Sequence, residues 1–143
     1  MYKRQADGSL FEGDWFDNMR EGDGKLIGPD HTTYEGQWHN DQQHGRGKEN
    51  WLDGRFEGTY SQGKRHGQGK FVMKDGSTYS GNFVNNVMEG EGHYKWPNGS
   101  SYHGTFKDNM MHGENGIFSY SDGRKYEGCF AKDKKHGRGV YTW

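Results

Sequence analysis

Histidines recur in one slot of this chain and are the first residues whose type and spacing suggest chemistry. The slot holds His44, His66, His112 and His136, with Glu21 and Glu89 in its remaining occurrences. If each occurrence belongs to a separate pair of β-strands, equivalent side chains lie about two strand spacings apart, roughly 10 Å. A zinc ion requires its ligand atoms within about 2.3 Å, so the column predicts no metal site. A polar side chain here is better suited to hydrogen-bond a neighbouring loop amide or carbonyl.

Glycine pairs separated by one residue are a second candidate, because glycine-rich loops bind phosphate groups. The pairs are Gly22/Gly24, Gly45/Gly47, Gly67/Gly69, Gly90/Gly92 and Gly137/Gly139. A phosphate-binding loop needs a strand before the glycines and a helix N-terminus after them. No helical pattern follows any of these pairs, and each lies within a predicted hairpin. The sequence therefore predicts no nucleotide site and no cofactor.

The carboxylate and hydroxyl side chains do not form a candidate active site either. The pairs Glu35/Asp53 and Glu127/Asp122 recur with a repeat, and no Ser/His/Asp set stands outside its register. Repeat scaffolds build active sites through departures from the repeat, so we expect no enzyme. The single cysteine, Cys129, excludes an internal disulfide and favours a reducing compartment. It occupies a slot that is polar elsewhere, which predicts an exposed thiol.

The elements that position these residues are set by the repeat itself. An aromatic residue, any residue, a glycine, any residue and another aromatic recur from residues 11, 34, 56, 79, 102 and 126, at spacings of 22 to 24. Self-similarity at a fixed period of this length is typical of a repeat array. Residues 1–143 are therefore predicted to form a single array, with partial units at both ends.

One unit, residues 79–101, shows the predicted local structure. The aromatic and glycine positions of its two predicted strands are Tyr79, Gly81 and Phe83, then Gly90, Gly92, Tyr94 and Trp96. Such alternation is strand periodicity. We expect a loop over residues 84–88 and then a turn at Pro97-Asn98-Gly99, where Asn-Gly suits a tight hairpin turn because both of these residues tolerate positive φ. Asp-Gly marks the same point in four other units, whereas Asp30-His31 in the first unit predicts a different turn shape.

The composition predicts a thin, aromatic core. Mean hydropathy is −1.32 and only 28% of residues are hydrophobic, yet aromatic residues make up 15% of the chain. Leu, Ile and Val together number nine, too few for a second apolar layer. Short connections force antiparallel neighbours. We therefore predict an all-β, elongated, single-layer twisted antiparallel meander of about twelve strands, whose aromatic and glycine face lines a groove. The net charge of −1 argues against nucleic acid as a partner.

The unit Tyr-Glu-Gly-x-Trp, six variable residues, Gly-x-Gly-x-aromatic and then Asp-Gly resembles the MORN (membrane occupation and recognition nexus) repeat. The resemblance covers residues 6–143 and is closest over residues 34–54 and 56–76. It implies six hairpins in an elongated antiparallel sheet. The departures are a residue inserted between Gly113 and Gly116, which predicts a bulge, and Glu49 in an aromatic position. The resemblance also implies a non-catalytic interaction scaffold, or a module attached to a lipid kinase or methyltransferase.

We interpret the aromatic face as both core and binding surface, because aromatic residues are the commonest anchors of protein partners. The predicted partner-binding groove consists of Trp15, Trp38, Trp51, Tyr60, Phe71, Phe83, Tyr94, Trp96, Phe106, Phe118, Tyr120 and Phe130, and Tyr141 completes it on the last strand. An alternative surface, for anionic lipid headgroups, consists of Lys64, Arg65, Lys132, Lys134, Lys135 and Arg138.

The sequence leaves three functions open. The favoured hypothesis is a non-catalytic scaffold that binds a protein partner in a cytoskeletal, ciliary or other large assembly. The second is a peripheral membrane module, and the third is the regulatory part of a larger enzyme such as a lipid kinase. The sequence has no membrane-span or signal-peptide pattern, so we expect a cytoplasmic protein. Both ends present strand edges, for which we expect a longer chain, a covering protein or an end-to-end homodimer.

Overall fold

The computed structural model describes residues 2–4 and 7–143, with side chains for residues 7–143, and shows one antiparallel β-sheet. Its strands are β1 (Tyr2–Arg4), β2 (Leu10–Phe16), β3 (Met19–Ile27), β4 (Thr33–His39), β5 (Gln42–Trp51), β6 (Gly54–Ser61), β7 (Lys64–Met73), β8 (Thr78–Val84), β9 (Val87–Lys95), β10 (Ser101–Lys107), β11 (Met110–Met111), β12 (Gly113–Ser119), β13 (Lys125–Ala131) and β14 (Lys134–Thr142). The strands lie side by side in chain order, except that the short β11 pairs with β10 and lies off this path. No helix occurs in the described ranges. The predicted all-β antiparallel meander is confirmed.

Two strands exceed the predicted twelve. β1 precedes the first unit, and a break in the fifth unit divides its second strand into β11 and β12. The pairing of β12 with β13 shifts register between Gly113 and Gly116, where the sequence carries its inserted residue. The bulge predicted for the fifth unit is therefore confirmed.

A row of paired glycines crosses the sheet at mid-strand. Gly36, for example, pairs with Gly24 on one side and with Gly47 on the other. The first aromatic residue of each unit lies over this row. A methyl group on Gly92 would sit 2.5 Å from the Tyr79 ring, well inside the roughly 3.5 Å at which carbon atoms make favourable contact. The prediction that rings pack on bare backbone is confirmed.

The rings over the glycine row form an unbroken series of edge-to-face contacts. Tyr79 meets Phe83 of its own strand at 5.2 Å between ring centroids, and Phe106 of the next unit at 5.1 Å. Aromatic quadrupoles favour this geometry. The series runs Trp15, Phe11, Trp38, Tyr34, Tyr60, Phe56, Phe83, Tyr79, Phe106, Tyr102, Phe130, Tyr126. Each unit contributes two rings, so the core continues along the array without a second layer.

Both turns of the fourth unit differ in part from the prediction. The predicted loop after the first strand is a two-residue turn in which both residues have positive φ, as at Asn85 (48°) and Asn86 (73°). The chain turns at Pro97-Asn98-Gly99 as predicted, in a three-residue loop closed by a 2.9 Å backbone hydrogen bond between residues 96 and 100. Only Gly99 of this pair has positive φ, 93°. The expectation of positive φ at both Asn98 and Gly99 was therefore wrong, because a three-residue loop requires positive φ at its last residue only.

The turn at Asp30-His31 has the same three-residue frame, so the prediction of a different shape was also wrong. The Gly28 N–H donates to the Thr32 carbonyl at 2.7 Å, and the Thr32 N–H donates to Asp30 Oδ1 at 3.0 Å. His31 occupies the glycine position with φ of 70°. The hydrogen bonds of the three-residue loop require a positive φ at residue 31, and a histidine side chain makes this conformation less favourable than glycine would.

Bulges recur where the two strands of a unit approach the glycine row. In the second unit the register shifts between Gly36 and Trp38, and Gly45 on the paired strand has φ of 82°. The variable residue of the motif satisfies backbone freed by the bulge, since Gln37 Oε1 accepts from the Arg46 N–H at 2.9 Å. The first glycine of each Gly-x-Gly pair thus supplies positive φ, while the second makes room for a ring.

Candidate functional site

Strand alternation divides the sheet into two faces of different chemistry. The aromatic face carries the glycine row and the rings. The polar face carries cross-strand neighbours of opposite charge, in the series Glu12, Lys25, Glu35, Lys48, Glu57 and Lys70. Such pairs support an antiparallel sheet on its solvated side. The candidate site therefore lies on the aromatic face.

The predicted groove aromatics divide into a buried set and an accessible set. The buried residues, each 5% exposed or less, are Trp38, Tyr60, Phe83, Phe106 and Phe130. They belong to the ring series, so nearly all of their surface contacts other residues of the sheet and is inaccessible to a partner. The partly buried residues are Trp15, Trp51, Phe71, Tyr94, Trp96, Phe118 and Tyr120. Apart from Trp15, these lie on, or directly after, the second strand of a unit.

We refer to the accessible rings of the second strands as the aromatic strip, which comprises Trp51, Phe71, Tyr94, Trp96, Phe118, Tyr120, Tyr141 and Trp143. Its middle is continuous: ring centroids are 4.7 Å apart for Tyr94 and Trp96, 5.2 Å for Trp96 and Phe118, and 4.8 Å for Phe118 and Tyr120. Tyr141 and Trp143 are 47% and 82% exposed. Tyr141 was predicted to complete the groove, whereas Trp143 was not among the predicted residues, although the same alternation reaches it.

A concavity of about 320 Å³ opens on the strip between the third and fourth units. Its lining residues are Trp51, Phe71, Met73, Ser77, Thr78, Tyr79, Asn86, Met88, Tyr94 and Asn109. Aromatic rings and methionines, with a few side-chain amides and hydroxyls, are the usual lining of a site that holds an apolar group in a defined orientation. The sequence indicated the rings but not the two methionines.

One slot on the aromatic face, just after the two-residue turn, carries cations. Its occupants are Arg20, Gln43, Arg65, Met88, Met111 and Lys135. The Arg65 guanidinium carbon lies 4.8 Å from the Phe71 ring centroid, and that of Arg20 lies 4.4 Å from the Trp38 centroid. These are cation–π distances. Two of its residues, Arg65 and Lys135, were predicted to bind lipid, but the sequence analysis did not indicate that this slot lies against the rings.

Glu49 replaces an aromatic residue in the second unit, and its carboxylate is hydrogen-bonded by other residues of the chain. The Tyr60 hydroxyl donates to Glu49 Oε1 at 2.5 Å, and Arg65 Nε donates to the same oxygen at 3.1 Å. Burial, followed by the hydrogen bond to Glu49, raises the pKa of Tyr60, so the phenol stays protonated. The carboxylate is thus held by two donors of the aromatic face.

Lys135 differs from Arg20 and Arg65, because no carboxylate pairs with it among residues 7–143. Its Nζ donates to the hydroxyls of Tyr120 and Tyr141 and lies 4.6 to 5.1 Å from three ring centroids. The hydrogen bonds to these two hydroxyls raise the pKa of Lys135. A charged amine held in this way is able to receive an anion.

The structure does not bring the six predicted lipid-binding residues together. Lys64 and Arg65 are consecutive in β7, and Lys134 and Lys135 are consecutive in β14, so each pair is divided between the two faces. Six strand spacings separate the two pairs, about 30 Å along the sheet. Arg65 is paired with Glu49, and its guanidinium group packs over the Phe71 ring. Lys132 lies in a turn, and Arg138 lies in β14.

The histidine slot makes contacts between successive hairpins. Glu21 Oε1 accepts from the Asn40 N–H at 3.1 Å, and His66 Nδ1 accepts from the Asn85 N–H at 3.4 Å. The prediction that this slot hydrogen-bonds a loop amide is confirmed at these positions. Across the described chain, no three side chains of the metal-binding types lie close enough to share an ion. Cys129, predicted to be exposed, is partly buried.

A single-layer sheet whose units each contribute two strands and a ring-on-glycine contact is a β-repeat array. The MORN repeat family model matches residues 11–33, 34–54, 56–78, 79–101, 102–123 and 126–143. The chain belongs to the MORN repeat family.

Other comparisons add little. No curated protein matches the chain. Among solved structures, the SAS-4 (dCPAP) TCP domain of Drosophila melanogaster, in complex with a proline-rich motif of Ana2 (dSTIL), matches at 15% identity and a TM-score of 0.49, covering 89% of this chain and 76% of that one. A likeness at this level carries no inference about the present chain. In the described part of the chain, no helix has the length and apolar character needed to cross a bilayer.

Proposed function

We propose that this chain is a non-catalytic scaffold that holds a segment of another protein against the aromatic strip. The segment would lie across the strands, in contact with several units at once. The MORN resemblance favours a place in a cytoskeletal, ciliary or other large assembly, because arrays of this family serve as interaction modules.

The observation that carries the proposal is the partial exposure of contiguous rings on a single-layer sheet. Tyr94, Trp96, Phe118 and Tyr120 touch one another and lie on the face that the described chain leaves uncovered. Aromatic side chains on a rigid frame lose little conformational freedom when they bind. Contiguous exposed apolar surface of this kind is typical of interaction sites.

Affinity capture with paired variants tests the proposal. Wild-type chain and the double variant Trp96→Ala, Tyr120→Ala are immobilised, and proteins retained from source cells are quantified at high salt. Each removed anchor should weaken binding by about 2 kcal/mol, roughly thirtyfold. We expect the double variant to lose the proteins that the wild type retains.

The control is the double variant His93→Ala, Lys95→Ala, which alters the polar face of the same strand and should retain the same proteins. Circular dichroism shows whether both variants remain folded. If a folded Trp96→Ala, Tyr120→Ala variant retains the same proteins as the wild type, the aromatic strip is not the binding surface.

The membrane hypothesis and the hypothesis of a module linked to an enzyme remain predictions. Liposomes that contain phosphatidylserine test the first, with Lys134→Glu as the variant of interest. Salt-sensitive binding that is lost on this charge reversal would favour the membrane hypothesis over the scaffold.

A further inference from the structure

We propose that the aromatic strip receives an acidic, proline-rich segment in the polyproline II conformation. This inference rests on the proposed function and names the chemistry of its occupant. The segment would run across the strands and present one face to successive units of the array.

The repeat of exposed rings matches the pitch of polyproline II. Along the cross-strand row, buried first-strand rings such as Tyr79 and Tyr102 alternate with partly exposed second-strand rings such as Phe71, Tyr94 and Phe118. Exposed rings therefore recur every two strands, about 9.6 Å. Polyproline II has three residues per turn and a rise of 3.1 Å, so one face recurs about every 9.3 Å.

The alternative conformations fit this period less well. An α-helix returns to one face about every seven residues, or 10.5 Å, and it is too stiff to follow a sheet that twists from strand to strand. An extended β-segment repeats about every 6.7 Å, so successive units would meet opposite sides of its chain. Polyproline II has no internal hydrogen bonds, so its backbone groups are free to meet partners on the strip.

Hydrogen-bond donors on the strip suit the bare carbonyls of such a segment. The indole N–H groups of Trp51 and Trp96 and the hydroxyl of Tyr94 have no acceptor among the described residues, whereas the buried Trp38 N–H donates to the Gly24 carbonyl at 3.2 Å. Polyproline II leaves its carbonyls free, and aromatic-lined grooves recognise it in this way.

One cation of the aromatic face favours an acidic residue in the bound segment. In the slot after the two-residue turn, Arg20 is paired with Asp41 and Arg65 with Glu49, whereas Lys135 has no carboxylate partner among residues 7–143. Lys135 is held by the Tyr120 and Tyr141 hydroxyls. A carboxylate of the bound segment near Tyr120 would complete this site.

Synthetic peptides of about 15 residues, five turns of polyproline II, test the inference. The probes repeat Pro-Pro-Glu or Pro-Pro-Lys, and a third peptide is an acidic alanine-rich helix. Binding to the full chain is measured by calorimetry. We expect the Pro-Pro-Glu peptide to bind at least about tenfold more tightly than either of the others.

Variants connect this binding to the strip. Lys135→Ala should weaken the Pro-Pro-Glu peptide by about two- to fivefold, Trp96→Ala should weaken it further, and Lys134→Ala on the opposite face should leave it unchanged. Equal affinity of Lys135→Ala and wild type would overturn the choice of an acidic segment.

The outcomes separate this inference from the proposed function. If the helical or the basic peptide binds best, or no peptide binds while the Trp96→Ala, Tyr120→Ala variant still loses its cellular proteins, the inference is wrong and the scaffold function stands. If no peptide binds and the cellular proteins are retained by that variant, both are wrong.

Discussion

Replacing Gly92 with alanine should destabilise the centre of the array through a single ring. A Cβ at this position would lie 2.5 Å from Tyr79 Cε2 and Oη, and 2.7 Å from Cζ. Carbon atoms in favourable contact are at least about 3.5 Å apart, so the ring would have to retreat by roughly 1 Å. Tyr79 is only 1% exposed and has no room to do so without disturbing its neighbours.

The size of the effect follows from what the Tyr79 ring contacts. Its hydroxyl donates to the Asn82 carbonyl at 2.8 Å, a bond worth about 1 kcal/mol. Its contacts with Phe83 and Phe106, at 5.2 and 5.1 Å, are worth about 1 kcal/mol each. Loss of most of these contacts predicts a decrease of about 3 kcal/mol in the free energy of unfolding, which is within the usual cost of overpacking. The melting temperature should fall by about 10 °C.

Urea unfolding of Gly92→Ala, with Glu91→Ala as control, checks this prediction. Glu91 is exposed and precedes Gly92 in β9, so its replacement should change stability by no more than about 0.5 kcal/mol. Because units in a repeat array contact only their neighbours, hydrogen exchange should also rise first in the fourth and fifth units. A loss of less than about 1 kcal/mol for Gly92→Ala would refute the ring-on-glycine explanation of the core.

Three further predictions concern the turns. His31→Gly should stabilise the chain by about 1 kcal/mol in thermal unfolding, because it relieves a side chain held at positive φ; a lower melting temperature would contradict the shared turn frame. Asn109→Ala should cost about 1–2 kcal/mol, since Asn109 Oδ1 accepts from the Met88 N–H at 2.8 Å; an unchanged urea midpoint would exclude this contact as a stabiliser. The pKa of Asp75 is lowered from 3.8, chiefly by the hydrogen bond from the Ser77 backbone N–H and then by that from the Ser77 side chain. Asp75 therefore stabilises the fold above its unfolded pKa and loses this contribution as pH falls through the folded pKa; Asp75→Asn should reduce the acid sensitivity of unfolding, and an identical pH profile would contradict this.

The repeat made the fold predictable, because alternation of aromatics and glycines determines which residues share a face. Tyr79 and Gly92 could be assigned to one face from spacing alone. The turn types could not be assigned in the same way. Asn and Gly both tolerate positive φ, and the number of residues in a turn depends on the pairing register. Two consecutive residues with positive φ therefore occur at Asn85-Asn86, where a loop was predicted, and not at Asn98-Gly99, where they were expected.

The candidate site was predicted in outline only. Alternation placed Trp38 and Trp96 on the same face, but depth depends on neighbouring strands: Trp38 packs into the ring series while Trp96 stays partly exposed. The positions of the basic residues on the aromatic face could not be predicted from the sequence either. The sequence assigned Arg65 and Lys135 to a possible lipid-binding surface, and only the strand register shows that both lie against rings of the aromatic face.

The indole N–H resonances of the five tryptophans would test the central claim most directly, in a nitrogen–proton correlation spectrum recorded with and without a bound partner segment. Binding to the aromatic strip should shift the Trp51 and Trp96 resonances, because their N–H groups lack an acceptor within the described chain, and leave Trp38 in place, because its N–H is bonded to the Gly24 carbonyl at 3.2 Å. Unchanged Trp51 and Trp96 resonances at saturation would contradict the account.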